Sequence, residues 1–529
     1  MRTSILRMAV LYAVTTVAAA AADGPSEHAS SAVMLGSQHC TSCHRGGEQA
    51  QRQLARLRGE SPGNGVLIAL DEADVWERHD RHAHSLELMR SKRAQAIGRR
   101  LGIPDVLHEA SCMNCHGQIE ARQGERLERV RPIGCETCHG AAGPIDNPVS
   151  YYVEHQIPAR WRPMDPLLKT KKGMINVRDV VTRTRLCLSC HVGSVAQGRV
   201  VTHDMYAAGH PLLPEIDPLE WLDAMPPHWT PVEKKKLTFQ HAAEWLQANF
   251  GVPVEQHDDF FRHHRTRQAV AAAQTAQSVH AELVGRLAGS GRVEWSVLRC
   301  GQCHHAVERP PSERASGVIR QASGSGGLPL PRFLEPSFIS VAAESGLVPK
   351  DAVDRVAQLR LALVRSPYGI GEPVAEQSAE LARLLARSAA EQVEKPWTNS
   401  DVERLAGELL QLGSSQHLPW ETQRRVAWLL RHALDDLASA PPQSTPVWSD
   451  ALKHLARAAR LDLPRPMPDF ASSTPGRQAT GAHGLGESWI IDVLENTSGK
   501  QSATVRSAFL QVQQAFAGQR PGPAKAPGR

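Results

Sequence analysis

A chain of 529 residues has material for about three domains at roughly 150 residues each, with ample length to build a core. Its 41% hydrophobic and 22% charged residues exclude collagen-like, mucin-like and wholly disordered classes. A net charge of +5, with 60 Lys plus Arg interleaved among 55 Asp plus Glu, is too slight to argue for nucleic acid. Aromatic residues make up only 5%, against 10 Cys and 25 His, so soft and imidazole ligands outnumber ring-bearing core residues and point to a cofactor.

Residues 1–22 read as a secretory signal peptide cleaved after Ala22: Arg2 and Arg7 precede an apolar run from Met8, and Ala20, Ala21 and Ala22 stand before Asp23. The run is about 15 residues, short of the roughly 20 needed to span a bilayer, and no later stretch is long and apolar enough. The expectation is an exported, periplasmic protein whose mature chain has no transmembrane span. Residues 23–215 hold four C-x-x-C-H motifs, leaving little room for a separate protein core. Short helices and long loops are expected there, with helical stretches near Val75–Leu101 and Arg178–Leu188.

A proline-rich passage, Pro211–Pro231, leads into a segment at 216–330 carrying a fifth motif; within it Phe261–Leu287 has Ala and Gln at helical spacing. Residues 331–462, after the Gly- and Pro-rich stretch Ser323–Pro331, read as an all-helical region. Thr398-Asn-Ser-Asp401 opens one amphipathic helix with Val402, Leu405, Leu409 and Leu410, and a second follows Pro419 with Val426, Leu429, Leu430 and Leu434. Residues 463–529 read as a linker (Pro464–Gly486), a short helical stretch and a disordered tail from Gly518. The fold class is therefore mostly α, with an all-helical C-terminal region.

All ten cysteines fall into five copies of one pattern: Cys40-Thr-Ser-Cys43-His44, Cys112-Met-Asn-Cys115-His116, Cys135-Glu-Thr-Cys138-His139, Cys187-Leu-Ser-Cys190-His191 and Cys300-Gly-Gln-Cys303-His304. Two thiols at this spacing reach the two vinyl groups of one haem, and the following His ligates the iron from one face. A disulfide framework would not require His after every second Cys, and zinc would take the pairs two at a time, leaving one over. Thioredoxin-like chemistry needs one such motif beside a βαβ pattern. The reading is five covalently attached haem c groups, whose flat apolar macrocycles also replace the missing aromatic core, and the expected fold is a multihaem cytochrome c fold with short helices and long loops around a haem stack.

Five histidines serve as proximal ligands, and the other 20 compete for the opposite iron faces. A second His ligand makes a low-spin carrier, whereas a missing one opens the iron to a small molecule. The passages Val75-Trp-Glu-Arg-His-Asp-Arg-His82-Ala, Gly134-Cys-Glu-Thr-Cys-His-Gly140 and Thr202-His-Asp-Met-Tyr-Ala-Ala-Gly-His-Pro211 resemble the cytochrome c-554 family. Lys172-Gly-Met174, Pro227-His228-Trp229 and His304-His305 extend the resemblance, which covers about residues 36–320. It implies axial ligation by His82, His155, His203 and His210, without assigning which serves which iron. His108, His228 and His305 also occupy family-like positions. His241, His257, His263, His264 and His280 are candidates for the fifth haem by nearness alone, and Met174 or Met205 would be a sulfur alternative.

Two functions follow as expectations. The first is an electron-transfer protein passing electrons along five haems between a redox donor and acceptor, docking through patches such as Lys169–Lys172 or Lys234–Lys236. The second is an oxidoreductase with one open-coordinate haem acting on a small nitrogen species of hydroxylamine or nitrite type. No C-x-x-C-K motif is present, and octahaem hydroxylamine oxidases need three more haems than these cysteines allow. Residues of about 340–460 offer a docking module for a larger complex.

Overall fold

The computed structural model describes residues 34–47, 49, 50, 52, 70–123, 126–161, 163–211, 213, 218–225, 227–229, 247, 261–291, 294–297, 336–365, 371–415, 418, 420–438, 448–459 and 500–519. Residues 1–22, read above as a signal peptide, the fifth motif with His305, His241, His257, Lys234–Lys236, the expected linker at 464–486 and residues 520–529 lie outside the described residues.

The first part of the chain is built from short helices: α1 (Ser37–Thr41), α2 (Glu72–His79), α3 (Ser85–Arg90), α4 (Lys92–Arg100) and α5 (Ala110–His116). The helical stretch expected over Val75–Leu101 is broken twice, because side chains cap new elements inside it. Asp80 accepts from the His82 N–H to open a 3-10 turn at Arg81–His84, and Ser91 accepts from the Ala94 N–H to open α4. After α5 the chain makes an antiparallel hairpin, β1 (Gln118–Gln123) with β2 (Arg126–Arg131), in which Gln118 faces Arg131 and Ile119 faces Val130. The sequence reading had no strands here. The hairpin's apolar contribution is small, Ile119 and Val130 against the cluster of Leu86, Met89, Val106 and Met113, and charged residues fill half of the two strands.

The chain continues through α6 (Cys135–His139), α7 (Tyr151–Glu154), α8 (Pro158–Trp161), α9 (Pro166–Lys171), α10 (Val180–His191), α11 (His203–Ala207) and α12 (Pro218–Ala224). Asp165, Asp179 and Thr202 cap α9, α10 and α11, each accepting from a backbone N–H in the first turn.

The helical region consists of α13 (His264–Gly289), α14 (Pro336–Glu344), α15 (Asp351–Arg365), α16 (Glu372–Glu394), α17 (Asn399–Gly413), α18 (Trp420–Ala438), α19 (Ser449–Ala458) and α20 (Lys500–Gln519). Thr398 opens α17 as the sequence suggests, in a capping box with Asp401. Helix α13 spans 26 residues and is buried on nearly every face. Its many alanines let neighbours approach closely on both sides. Ala269, Ala273, Ala281 and Ala288 join the main helical core, where Gly285 lies against Ser378 of α16. Ala276, Val279, Leu283 and Leu287 instead meet Leu188 and Val192 at the end of α10. This one helix therefore ties the motif-bearing part of the chain to the helical part.

Helix α20 closes the same core through Val505, Ala508, Phe509, Val512 and Phe516, with Phe509 fully buried against Gly413 of α17. Phe509→Ala is expected to cost about 3–5 kcal/mol, the usual range for a buried Phe truncation, and to lower the denaturant midpoint followed by helical circular dichroism. An unchanged midpoint would mean that α20 is not part of the folded unit.

Candidate redox centres

Each described motif sits on or against a helix. The second lies on α5, the third is α6 itself, the fourth ends α10, and the first runs from α1 into the turn after it. On a helix, positions i, i+3 and i+4 share one face, so both thiols and the imidazole of a motif point the same way. The eight described cysteines are free thiols, with their sulfurs available for thioether bonds.

The fold brings each described proximal histidine opposite a second one. Ring centroids are 6.4 Å apart for His44 and His155, 6.3 Å for His116 and His210, 6.4 Å for His139 and His228, and 6.1 Å for His191 and His82. An imidazole nitrogen sits about 2 Å from a first-row metal ion, and its ring centre about 1 Å further, so two rings across one iron stand about 6 Å apart. The donor sets fit haem iron ligated from both faces. Among the described residues no group of three or more His, Cys, Asp or Glu converges as a bare-ion site would.

Nδ1 contacts orient these rings. His82 Nδ1 lies 2.8 Å from Asp80 Oδ1 and His44 Nδ1 3.1 Å from Glu72 Oε2. His155 Nδ1 donates to the Tyr151 carbonyl at 3.0 Å, and His210 Nδ1 to the Pro211 carbonyl at 2.7 Å. A proton held at Nδ1 leaves Nε2 as the ligating atom and fixes the ring plane. Burial lowers the pKa of His116, His139 and His191 to about 4 each, which keeps them in the neutral form that binds metal. The hydrogen bond to Glu72 raises that of His44. Burial of His82 acts downward, but the bond and charge of Asp80 outweigh it and the net direction is up. Sequence reading missed both carboxylates, although Asp80 lies two residues before His82 inside the motif quoted for it.

Of the histidines implied by resemblance, His82, His155 and His210 are in opposed pairs. The fourth pair is made by His228, from the Pro-His-Trp tripeptide, and not by His203. His203 begins α11, where its backbone N–H donates to Glu294 Oε1 at 2.8 Å. His108 Nδ1 contacts Asp105 Oδ2 at 2.7 Å. His263, His264 and His280 lie buried at or along α13. The backbone N–H of Met174 donates to the Lys169 carbonyl and that of Met205 to Thr202 Oγ1.

Contacts between motifs show their order in space. The Cys40 and Cys135 thiols hydrogen-bond, as do those of Cys115 and Cys190. Cys138 and Cys187 are close enough to influence each other's charge. The first motif thus adjoins the third, the third the fourth, and the fourth the second. Two of the sequence motifs meet here as well: Gly140 has φ +93°, and a Cβ on it would strike the Gly173 carbonyl, while Ile175 N–H donates to His139 O at 2.9 Å. Only glycine suits that close approach in the left-handed region.

Residues 70–140 match the family model described as cytochrome c554 and c-prime. That stretch is similar to c-type cytochromes. It holds His82 with Asp80 and all of the second and third motifs, and a cytochrome of this kind carries covalently bound haem c and exchanges electrons with redox partners. No curated protein and no solved structure matches the chain. Among the described residues no helix is long and apolar enough to cross a membrane.

Proposed function

We propose that this chain is an exported pentahaem cytochrome c that carries electrons between redox partners, with the pairs His44/His155, His116/His210, His139/His228 and His191/His82 ligating four of its haems. The observation that carries the reading is the opposition of a second histidine to every described proximal one at 6.1–6.4 Å. Bound there, haem supplies one-electron centres in the order first, third, fourth, second motif. The chain's own residues do the rest: the thiols anchor, Asp80, Glu72 and two backbone carbonyls orient the ligands, and burial excludes water.

The fifth motif begins three residues after the turn Trp295–Val297, whose neighbour Glu294 accepts from the His203 N–H. His203 is therefore our candidate for the fifth iron. Any open coordination position, as a nitrogen-converting enzyme needs, would fall on that motif, because the other four have ligands on both faces. Residues 1–22 direct export in this reading.

The relative ring planes give the test. His44 and His155 are nearly parallel at 12°, whereas the other pairs cross at 85°, 62° and 75°. Parallel imidazole planes split the iron orbitals strongly and give a rhombic low-spin signal; crossed planes leave them nearly degenerate and give a highly anisotropic one. Electron paramagnetic resonance of the oxidised protein should show one rhombic component, abolished by His155→Ala, beside several anisotropic ones. A pyridine haemochrome assay should return five haems per chain. A stoichiometric high-spin signal in the unmodified protein would reject the carrier in favour of the enzyme.

A further inference from the structure

Five of the eleven large apolar side chains exposed among the described residues fall within one short stretch: Ile145, Val149, Ile157, Leu167 and Leu168. Leu167 is 63% exposed and Val149 54%, values that bring no benefit to a folded chain in water. The elements that carry them are pinned together. The buried carboxylate of Glu154 pairs with Arg160 of α8 and with Lys172 after α9, and Lys172 Nζ also donates to the Val149 carbonyl at 3.3 Å. Lys169 of α9 lies 5.4 Å over the Trp161 ring of α8, which stacks on Tyr151 of α7.

The face sits over one redox ligand. Tyr151 and Tyr152 lie 5.3 and 6.0 Å from the His155 ring, the partner of His44. The first motif is also one end of the order read above, and the segment leading to the fifth motif packs near α11 at the other end, beside Val192 and Tyr206. Residues 145–173 carry five Lys plus Arg against Asp146, Glu154 and Asp165. Among the described ones Lys169 is buried, whereas Arg160 and Lys171 are exposed and Lys172 is half-buried, so these three form the basic rim; Arg160 and Lys172 share the buried Glu154, and the Asp165 carboxylate is engaged in capping α9. Asp146 is the exposed acid of the neighbouring loop.

We infer that this apolar face with its basic rim is where an acidic redox protein docks to exchange electrons at the first haem centre. An apolar centre with a charged rim is the usual anatomy of a transient interface, and the rim charge sets approach rate and partner choice. A membrane surface fits less well, because the apolar residues come from one short helix, α9, and the connecting segments before it, and not from one long amphipathic helix. The inference rests on the haem reading above, so its test separates the two.

The test follows reduction of the oxidised full-length holoprotein by reduced flavodoxin, a small acidic flavoprotein, in stopped flow. One electron leaves the flavin and one ferric haem becomes ferrous. In the double variant Leu168→Ser/Lys171→Glu, both at exposed positions, the second-order rate constant is expected to fall about tenfold and its salt dependence to flatten. Reduction by dithionite, which needs no docking, and haem content should stay unchanged; a loss in either would mean that the double substitution disturbs the centre itself, and Lys171→Glu alone then carries the docking test, whereas the haem reading stands or falls on the haem content of the unmodified protein. Lys453→Glu on α19, exposed and remote in sequence, makes the same charge change and should keep the wild-type rate. An unchanged rate in the double variant, or an equal fall in Lys453→Glu, overturns the inference. So does co-sedimentation with phosphatidylglycerol vesicles that the double variant loses, which would assign the face to a membrane.

Discussion

His228→Ala is expected to convert the haem that we propose on Cys135, Cys138 and His139 from six-coordinate low-spin to high-spin. The His139 and His228 rings stand 6.4 Å apart, and the described proximal histidines of the other three motifs already face His155, His210 and His82. Removal of the imidazole takes away one strong axial ligand and leaves water or nothing in its place. Oxidised His228→Ala should therefore show a high-spin ferric signal equivalent to one haem per chain, with the rhombic signal of the first motif intact. His203→Ala should leave all four of the paired centres low-spin. If His228→Ala has the wild-type spectrum, the assignment of the third centre is wrong; a high-spin signal in His203→Ala would belong to the fifth haem.

Asp80→Asn should raise the midpoint potential of the centre on the fourth motif. Asp80 is buried, at 5% exposure, and its Oδ1 receives both the backbone N–H and the ring Nδ1–H of His82. A carboxylate at Nδ1 makes the imidazole a stronger donor and favours the more positive ferric state. Asn keeps the shape and one acceptor oxygen but removes the charge. A differential loss of about 1.4 kcal/mol, within the range of a charge-assisted hydrogen bond, corresponds to about 60 mV for a one-electron couple. Spectroelectrochemical titration should show one component displaced upward by about that amount, with a smaller effect on the third centre, because Asp80 also feels His228. Superimposable titrations of variant and parent would remove Asp80 from the set of residues that tune the centres.

The helices were largely legible as pattern. Thr398 and Asp401 form the capping box their spacing announces, and the Ala- and Gln-rich run ending at Leu287 is helix α13. Less legible was the break-up of Val75–Leu101, since Asp80 and Ser91 compete for backbone N–H groups that a continuous helix would otherwise leave to carbonyls. The β1–β2 hairpin was hidden by its charged residues, because its few apolar positions gain their meaning only against Leu86, Met89, Val106 and Met113. Within the site, resemblance led to His82, His155 and His210 but ranked His203 above His228.

Local chemistry explains the division. A C-x-x-C-H motif brings its two thiols and its imidazole to one place through bonds within five residues, so the sequence by itself carries the proposed haem-attachment pattern and proximal ligands. A distal ligand is set by how separate segments pack. His191 meets His82 across 109 positions and His139 meets His228 across 89, and no spacing rule reaches that far. The order of the motifs in space, first to third to fourth to second, is likewise a tertiary result. So is the exposed apolar face over His155, which arises because Glu154 ties α8 and the end of α9 together through Arg160 and Lys172.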